Sequence, residues 1–414
     1  MEKIVSGKYF LKCITCGRQY NVDPHILTCS ECGEYNGTLD VIYPYEEISK
    51  KLGKQGLIGG NVFEIFDDIM PFDFPAFIPT VYIGGTKLMK SDALNHYCGT
   101  SRTYISDDTR QPSASFKDRA TSIAIAMAKQ AKMSTMAVAS TGNAAASTAV
   151  LAAASGMQAI LFVPKSAPLP KLTQLYIHGA KVLKFDARYD EIFDLCTQCC
   201  KQFGWYNRNT AVNPYTGEGK KTAALEIFLD LGRAPDNLIV PVGDGGIMSG
   251  MYKGFWDLNE LGLIDSIPRL FGVQAAGCAP LVRAFEDDAQ IKPWGKVSTS
   301  ADSIAVALPR DGIKAMRAVR QTGGRFVDVS DEDIFKAQFD LARLTGIYAE
   351  PSAAASFAGF LKLMEGEFIK KNEVSVILIT GSGLKDTSFS TKYLNMKEKP
   401  LSPDIKSVSK RLGI

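Results

Sequence analysis

Short runs rich in β-branched and apolar residues alternate with helix-like stretches over most of this chain, and that alternation limits the folds open to it. The β-rich runs are Met136 to Ala139, Gln158 to Val163, Ala180 to Phe185, Asn237 to Val242, Arg269 to Gln274 and Val374 to Thr380. Ala120 to Lys132, Ala144 to Ser155, Thr222 to Leu231 and Ile334 to Thr345 read as helices. Such alternation predicts an α/β chain whose sheets are parallel and covered by helices on both faces. Ligands in these folds bind at loops beyond the carboxyl ends of the strands. A length of 414 residues predicts two or three packed units rather than a single core.

Hydrophobic residues make up 46% of the chain and charged residues 22%, enough to bury a large core. A net charge of +3 gives no electrostatic case for nucleic acid or an anionic membrane as partner. Met1 to Phe10 holds charges and no apolar run suited to a secretory leader. No uncharged apolar stretch approaches the roughly 20 residues that span a bilayer. The expectation is a cytoplasmic protein acting on a small molecule.

The cysteines carry the next constraint. Cys13 and Cys16 form one CxxC pair and Cys29 and Cys32 another, with twelve residues between the pairs. Gly17 and Gly33 each follow a second cysteine, where a tight knuckle needs a permissive backbone. Two such knuckles can set four thiolates tetrahedrally around Zn2+. The alternative is four free thiols, but so small a module has little core of its own and a metal would staple it. Residues 1–45 are therefore expected to be a zinc ribbon, with short strands at Lys8 to Leu11 and Thr38 to Ile42. Cys98, Cys196, Cys199, Cys200 and Cys278 are expected to be reduced thiols. Tyr43 to Thr80, with Pro71, Phe72, Phe74, Pro75 and Pro79, reads as a lid or connector, and the segment from Asn395 as a surface tail.

Four segments hold the residues suited to chemistry. Lys117 stands in Ser113-Ala114-Ser115-Phe116-Lys117-Asp118-Arg119, at or just before a helix start. A helix N-terminus is electropositive and lowers a lysine's pKa, which favours imine formation and proton transfer. Taken alone, a lysine beside Asp and Arg is ordinarily a solvated surface charge. Ser140-Thr141-Gly142-Asn143-Ala144 follows a strand and opens a helix, offering amides, hydroxyls and a carboxamide to an oxyanion. Gly243-Asp244-Gly245-Gly246-Ile247 follows another β run and exposes backbone amides suited to a phosphate, without Rossmann or Walker spacing. Either loop alone is also an ordinary strand-to-helix turn. Thr380-Gly381-Ser382-Gly383 again directly follows a strand.

Together these segments resemble the threonine synthases, in the group of pyridoxal-phosphate enzymes that share the tryptophan synthase β-subunit fold. The resemblance runs from the Cys-rich start to Asp386. It rests on SFKDRA around Lys117, STGNAAAS around Asn143, VNPYTGEGKKTAALEI from Val212, GVQAAGCAPL from Gly272, YAEPSAAAS from Tyr348 and TGSGLKD from Thr380. It implies two parallel-sheet three-layer domains behind the ribbon, a large one of residues 46–95 plus 205–414 and a small one of residues 96–204. It implies a homodimer carrying pyridoxal 5′-phosphate as a Schiff base on Lys117. Asn143 would meet the cofactor's 3′-oxygen, Gly243, Asp244, Gly245, Gly246 and Ile247 its phosphate, and Thr380 its pyridine nitrogen. Ser140, Thr141, Lys171 and Thr216 would meet the substrate. The implied reaction turns O-phospho-L-homoserine and water into L-threonine and phosphate.

The chain departs from the family at marked positions. Gly84-Gly85-Thr86-Lys87-Leu88 stands for GNTPL, the loop Gly243 to Ile247 for GNAGN, and Ser382 for the His of TGHGLKD. Ala211 and Thr216 replace the Ser and Arg of NSVNPxR, which help bind the substrate's phosphate. Another cation is then required, and Arg119, Lys171, Lys220 and Lys221 are the candidates by motif position. The competing reading is a paralogue that acts as a serine or threonine dehydratase, or as a β-replacement synthase on another small amino acid.

Overall fold

The computed structural model describes residues 7–23, 26–73, 78–79, 81–167, 169–394 and 399–414. The start of the chain before residue 7, Phe74, Pro75 and Thr80 of the connector, and Asn395 at the head of the tail lie outside the described residues. At the N-terminus, β1 (Phe10–Cys13) lies between β2 (Gln19–Tyr20) and β3 (Leu39–Ile42), antiparallel to both. This ribbon is not self-sufficient. Leu11, Leu39 and Val41 are buried in the same core as residues of the helices Tyr215–Leu231 and Gly246–Glu260. Polar contacts fasten it further. Tyr43 Oη donates to Glu218 and Tyr45 Oη to Asp257, each at 2.6 Å. Asp40 pairs with Lys314 at 3.0 Å and Arg317 at 2.8 Å.

The strands that follow are β4 (Thr103–Asp107), β5 (Thr135–Ala139), β6 (Gln158–Pro164), β7 (Lys181–Phe185), β8 (Tyr206–Asn207), β9 (Asn237–Pro241), β10 (Arg269–Ala275), β11 (Arg325–Val329) and β12 (Ser375–Ile379). They form two parallel sheets, a larger in the order β11-β10-β9-β12-β4 and a smaller in the order β7-β6-β5-β8. Every residue of β9 and β12 is buried, as expected of parallel strands covered on both faces. Ile377 stands across from Ile239 on one side and Ile105 on the other, which fixes the register at the centre of the sheet.

The sheets do not divide at the boundaries expected from the sequence. β4, grouped there with the smaller unit, pairs with β12 in the larger sheet, where Ile105 joins the core of Ile239 and Ile377. β8, grouped with the larger unit, pairs with β5 in the smaller sheet.

One close approach positions the site. The helix Tyr215–Leu231 runs against the helix Lys117–Gln130 at Gly219, where a Cβ would lie 2.1 Å from the carbonyl oxygen of Arg119. A side chain there would push the two helices apart just after Lys117.

Candidate active site

Lys117 is the first residue of its helix, and the turn before it is stitched to the loop after β12. Phe116 N donates to Thr380 O at 2.9 Å, and Ser382 N to Ala114 O at 3.1 Å. Ala114 takes φ of 57°, a left-handed conformation that costs an alanine strain and is held by these bonds. Asp118 secures the turn from the other side, accepting from the Ser113 amide and hydroxyl at 2.6 Å each. Lys117 is partly exposed and otherwise ringed by protein. Burial first, and then the nearby Arg208, lowers its ammonium to about 8. The direction is the one expected at a helix start, whereas the leading cause is desolvation.

Asn143 opens the helix Asn143–Ala154 and lines a cleft of about 340 Å³. Thr141, Lys171, Glu350 and Lys385 also line that cleft. Asn143 Nδ2 donates to both oxygens of Glu350, at 2.9 and 3.0 Å, and Asn143 Oδ1 accepts from Lys385 Nζ at 2.7 Å. Two charged neighbours thus orient the amide. Burial raises the pKa of the Glu350 carboxyl, against the pull of Asn143 and Lys385. Ser140 Oγ accepts from Gly142 N at 3.2 Å and shapes the loop. Lys171 pairs with Asp302 at 2.5 Å at the rim. Thr380, next to the Lys117 turn, is buried.

The loop Gly243 to Ile247 leads from β9 into the helix Gly246–Glu260. Its outer side is fully packed. A Cβ on Gly243 would come within 2.8 Å of Ile304 Cα, and one on Gly245 within 2.7 Å of Asp311 O. Gly245 also has φ of 95°, open only to glycine at low cost. This is the cradle a phosphate needs: a helix start with bare amides and no side chain in the way. Nearby buried atoms lack partners among the described residues, namely Arg208 Nη1 and Asp244 Oδ2. The desolvated lysine, the glycine cradle and the unpartnered guanidinium nitrogen fit a phosphorylated aldehyde cofactor.

Thr216 is not part of this cleft. Its hydroxyl donates to Asn213 O at 2.9 Å, and with Ala211 it lines a void of about 20 Å³ beneath Leu39 and Asp40 of the ribbon. Two of the candidate cations are committed elsewhere as well. Arg119 is fully buried against Asp108 and Glu226, and Lys221 against Glu218 and Asp257.

In the ribbon, the sulfurs of Cys13, Cys16, Cys29 and Cys32 all lie within 4.8 Å of one another. Cys16 and Cys29 Sγ are 3.7 Å apart, and tetrahedral Zn–S bonds of about 2.3 Å require a spacing of about 3.8 Å. Tyr20 Oη donates to Cys29 Sγ at 3.0 Å, an outer contact suited to a metal-bound thiolate.

Glu350, Lys385 and Arg208 were not singled out in the sequence. Glu350 and Lys385 stand inside motifs that carried the resemblance, so the signal was present and unused. Arg208 has no local signal at all.

Residues 80–381 match the family described as pyridoxal-phosphate dependent enzyme. The chain is 38% identical over 381 residues to the threonine synthase of Methanosarcina acetivorans, covering 91% of this chain and 92% of that protein. It is 37% identical over 379 residues to the threonine synthase of Methanocaldococcus jannaschii, again covering 91% and 92%. Among solved structures, maize serine racemase superposes with a TM-score of 0.66 at 22% identity, over 75% of this chain and 92% of that one. The processed form of threonine deaminase isoform 2 from Solanum lycopersicum gives 0.62 at 23% identity, over 74% and 86%. At such identities the structural likeness speaks for the fold, which is that of the tryptophan synthase β-subunit group.

Proposed function

The chain belongs to the threonine synthases among the pyridoxal-phosphate dependent enzymes, and from that premise we propose that it converts O-phospho-L-homoserine and water into L-threonine and phosphate. The observation that supports the reading is the desolvated Lys117 at a helix start, close enough to feel the charge of Glu350, which holds Asn143, and of Asp244 in the glycine loop. The cofactor, once bound, supplies an electron sink for the carbons next to the substrate's amine.

The rest falls to this chain's own residues. The amides of Gly243, Asp244, Gly245, Gly246 and Ile247 take the cofactor's phosphate at the helix start. Asn143, held by Glu350, would meet the ring oxygen, and the Thr380 hydroxyl would meet the ring nitrogen. That partner carries no charge and keeps the electron sink moderate. Lys117 Nζ would hold the cofactor and, when freed, would move protons at the substrate's α and β carbons. Its lowered pKa keeps part of it in the neutral form that can accept a proton near neutrality. Ser140, Thr141 and Lys171 bind the substrate's anionic groups.

In the same reading Cys13, Cys16, Cys29 and Cys32 hold a structural Zn2+. The nine cysteines are free of disulfides, which suits a reducing compartment, and the proposed species is a cytoplasmic homodimer. Among the described residues no helix is long and apolar enough to cross a membrane. The deciding assay offers phosphohomoserine, threonine and serine separately to the purified enzyme and identifies the products. Threonine and phosphate from the first supports the reading, and efficient turnover of only the other two overturns it.

A further inference from the structure

Lys220 and Lys221 are neighbours on the helix Tyr215–Leu231, both fully buried, and the structure treats them differently. Lys221 Nζ contacts two carboxylates, Glu218 at 2.5 Å and Asp257 at 2.7 Å. Lys220 contacts none among the described residues, and its one hydrogen bond there is to Thr210 Oγ1 at 3.1 Å. The acids that act on it do not touch it, and one oxygen of Asp244 is itself unpartnered among the described residues. Asp311 accepts from Ser249 Oγ at 2.6 Å, and Asp244 from Arg310 N at 2.8 Å. A buried ammonium without an anion in contact is expensive, so its position needs a reason.

The position is built. On the facing helix, a Cβ at Gly250 would strike Lys220 Cβ at 2.4 Å, and one at Gly246 would strike Lys220 Nζ at 2.5 Å. These two glycines, one turn apart, make a slot that carries the lysine stem along the helix and delivers Nζ to its first residue. That first residue belongs to the glycine loop assigned above to a phosphate. Arg208, fully buried with Nη1 unpartnered among the described residues, bears electrostatically on Lys220 and on Lys117 alike, so three basic groups converge there, with Asp311 and Asp244 near Lys220 but no carboxylate in contact with it. Once Lys117 is bonded to the cofactor it is no longer a free ammonium, and Asp244 adds negative charge to the loop. A helix start supplies only about half a positive charge.

We propose that the Lys220 ammonium is a direct ligand of a phosphate monoester dianion at the start of the helix Gly246–Glu260. The proposal rests on the reading of Gly243 to Ile247 as a phosphate loop. Two phosphates meet this chemistry, that of the cofactor and that of the substrate. Lys220 thereby stands in for positive charge that the chain lacks at Ala211 and Thr216.

The test uses the full chain and Lys220→Gln, with Lys220→Met as a second neutral variant of similar length. In one arm each apoenzyme is titrated with pyridoxal 5′-phosphate, and in parallel with pyridoxal, which has no phosphate. In the other arm inorganic phosphate is titrated into each holoenzyme by calorimetry. Loss of a charge-assisted bond predicts about ten- to hundredfold weaker binding in the neutral variants. A loss confined to pyridoxal 5′-phosphate, with pyridoxal unchanged, identifies the cofactor's phosphate as the ligand. A loss of phosphate binding to holoenzyme identifies the substrate's. Affinities within twofold of the original in both arms overturn the proposal. So does an equal loss of pyridoxal, because it marks Lys220 as a structural residue. Neither arm uses turnover, so a product assay that refutes the threonine synthase reading leaves this result standing or falling by itself.

Discussion

Replacing Arg119 by Met should damage the folded state rather than substrate recognition. Arg119 Nε and Nη2 donate to the two oxygens of Asp108, each at 2.9 Å, and Nη2 also reaches Glu226 at 2.7 Å. Thr222 and Thr86 accept two further bonds, at 3.1 and 3.0 Å. Arg119 and Asp108 are both fully buried, so solvent cannot compensate for the loss. Charge-assisted bonds of about 1.5–3 kcal/mol each would sum to more than such networks yield, because the bonds share one charge. Breaking a buried pair from one side costs about 3–5 kcal/mol, mostly from the carboxylates left behind. That is a factor of roughly 10² to 10³ or more in the folding equilibrium. Urea denaturation followed by circular dichroism should show the midpoint falling by that amount. Adding Asp108→Asn and Glu226→Gln should recover part of that loss at neutral pH. A loss under about 1 kcal/mol, accompanied by a selective rise in KM for phosphohomoserine, would refute this reasoning and return Arg119 to the substrate.

Borohydride reduction of the holoenzyme followed by peptide mapping should place the cofactor on Lys117, and Lys117→Ala should carry no covalent label; a label on another lysine contradicts the assignment. Metal analysis should find about one zinc per chain, and Cys29→Ala should lose it together with solubility or stability, whereas full zinc occupancy in that variant refutes the ligand set. In the apoenzyme, burial depresses Lys117 from 10.5 to about 8, so the unfolded chain binds the extra proton between these values and stability should rise with pH from about 8 to 10.5. Lys117→Met removes that rise, and identical pH profiles for the two apoproteins would contradict the desolvation argument. Glu350→Gln keeps the shape but weakens the hold on Asn143 Nδ2, and should lower kcat at least about tenfold while the cofactor stays bound; unchanged kcat would deny Glu350 its positioning role.

The two knuckle glycines show what local sequence can reveal. Gly17 and Gly33 were assigned to tight turns from their place after Cys16 and Cys32, and they have φ of 74° and 73°. The same holds for β5, β6, β9, β10 and β12, whose apolar runs are long enough to stand out. β4 and β11 were not read as strands, because TYISD and RFVDV dilute the apolar pattern with charge at their ends. The first two turns of Tyr215–Leu231 were lost to Gly217 and Gly219, which look like helix breakers. Gly219 is required instead by the nearness of Arg119 O, a contact with a separate helix. At the candidate site, Lys117, Asn143 and the glycine loop were legible because each sits at a strand-to-helix or turn-to-helix junction. The partners of Asn143 were not, since Glu350 and Lys385 are 207 and 242 positions away. No local pattern encodes pairings at that distance, and the surroundings of Thr216 are set in the same way, by a strand near residue 40.

The docking of the ribbon has a consequence for how the protein is made. Tyr45 leaves the ribosome 212 residues before Asp257, the group its hydroxyl bonds, and Tyr43 leaves 175 residues before Glu218. At about 5–20 residues per second the growing chain spends roughly 10 to 40 s with these tyrosines unpartnered and Leu11, Leu39 and Val41 uncovered. During that interval a metal bound by the four cysteines would tie together residues already synthesised. The ribbon is thus translated well before the helices that seat it, so metal scarcity during synthesis would act on folding yield before it acted on any finished enzyme that had bound a metal there.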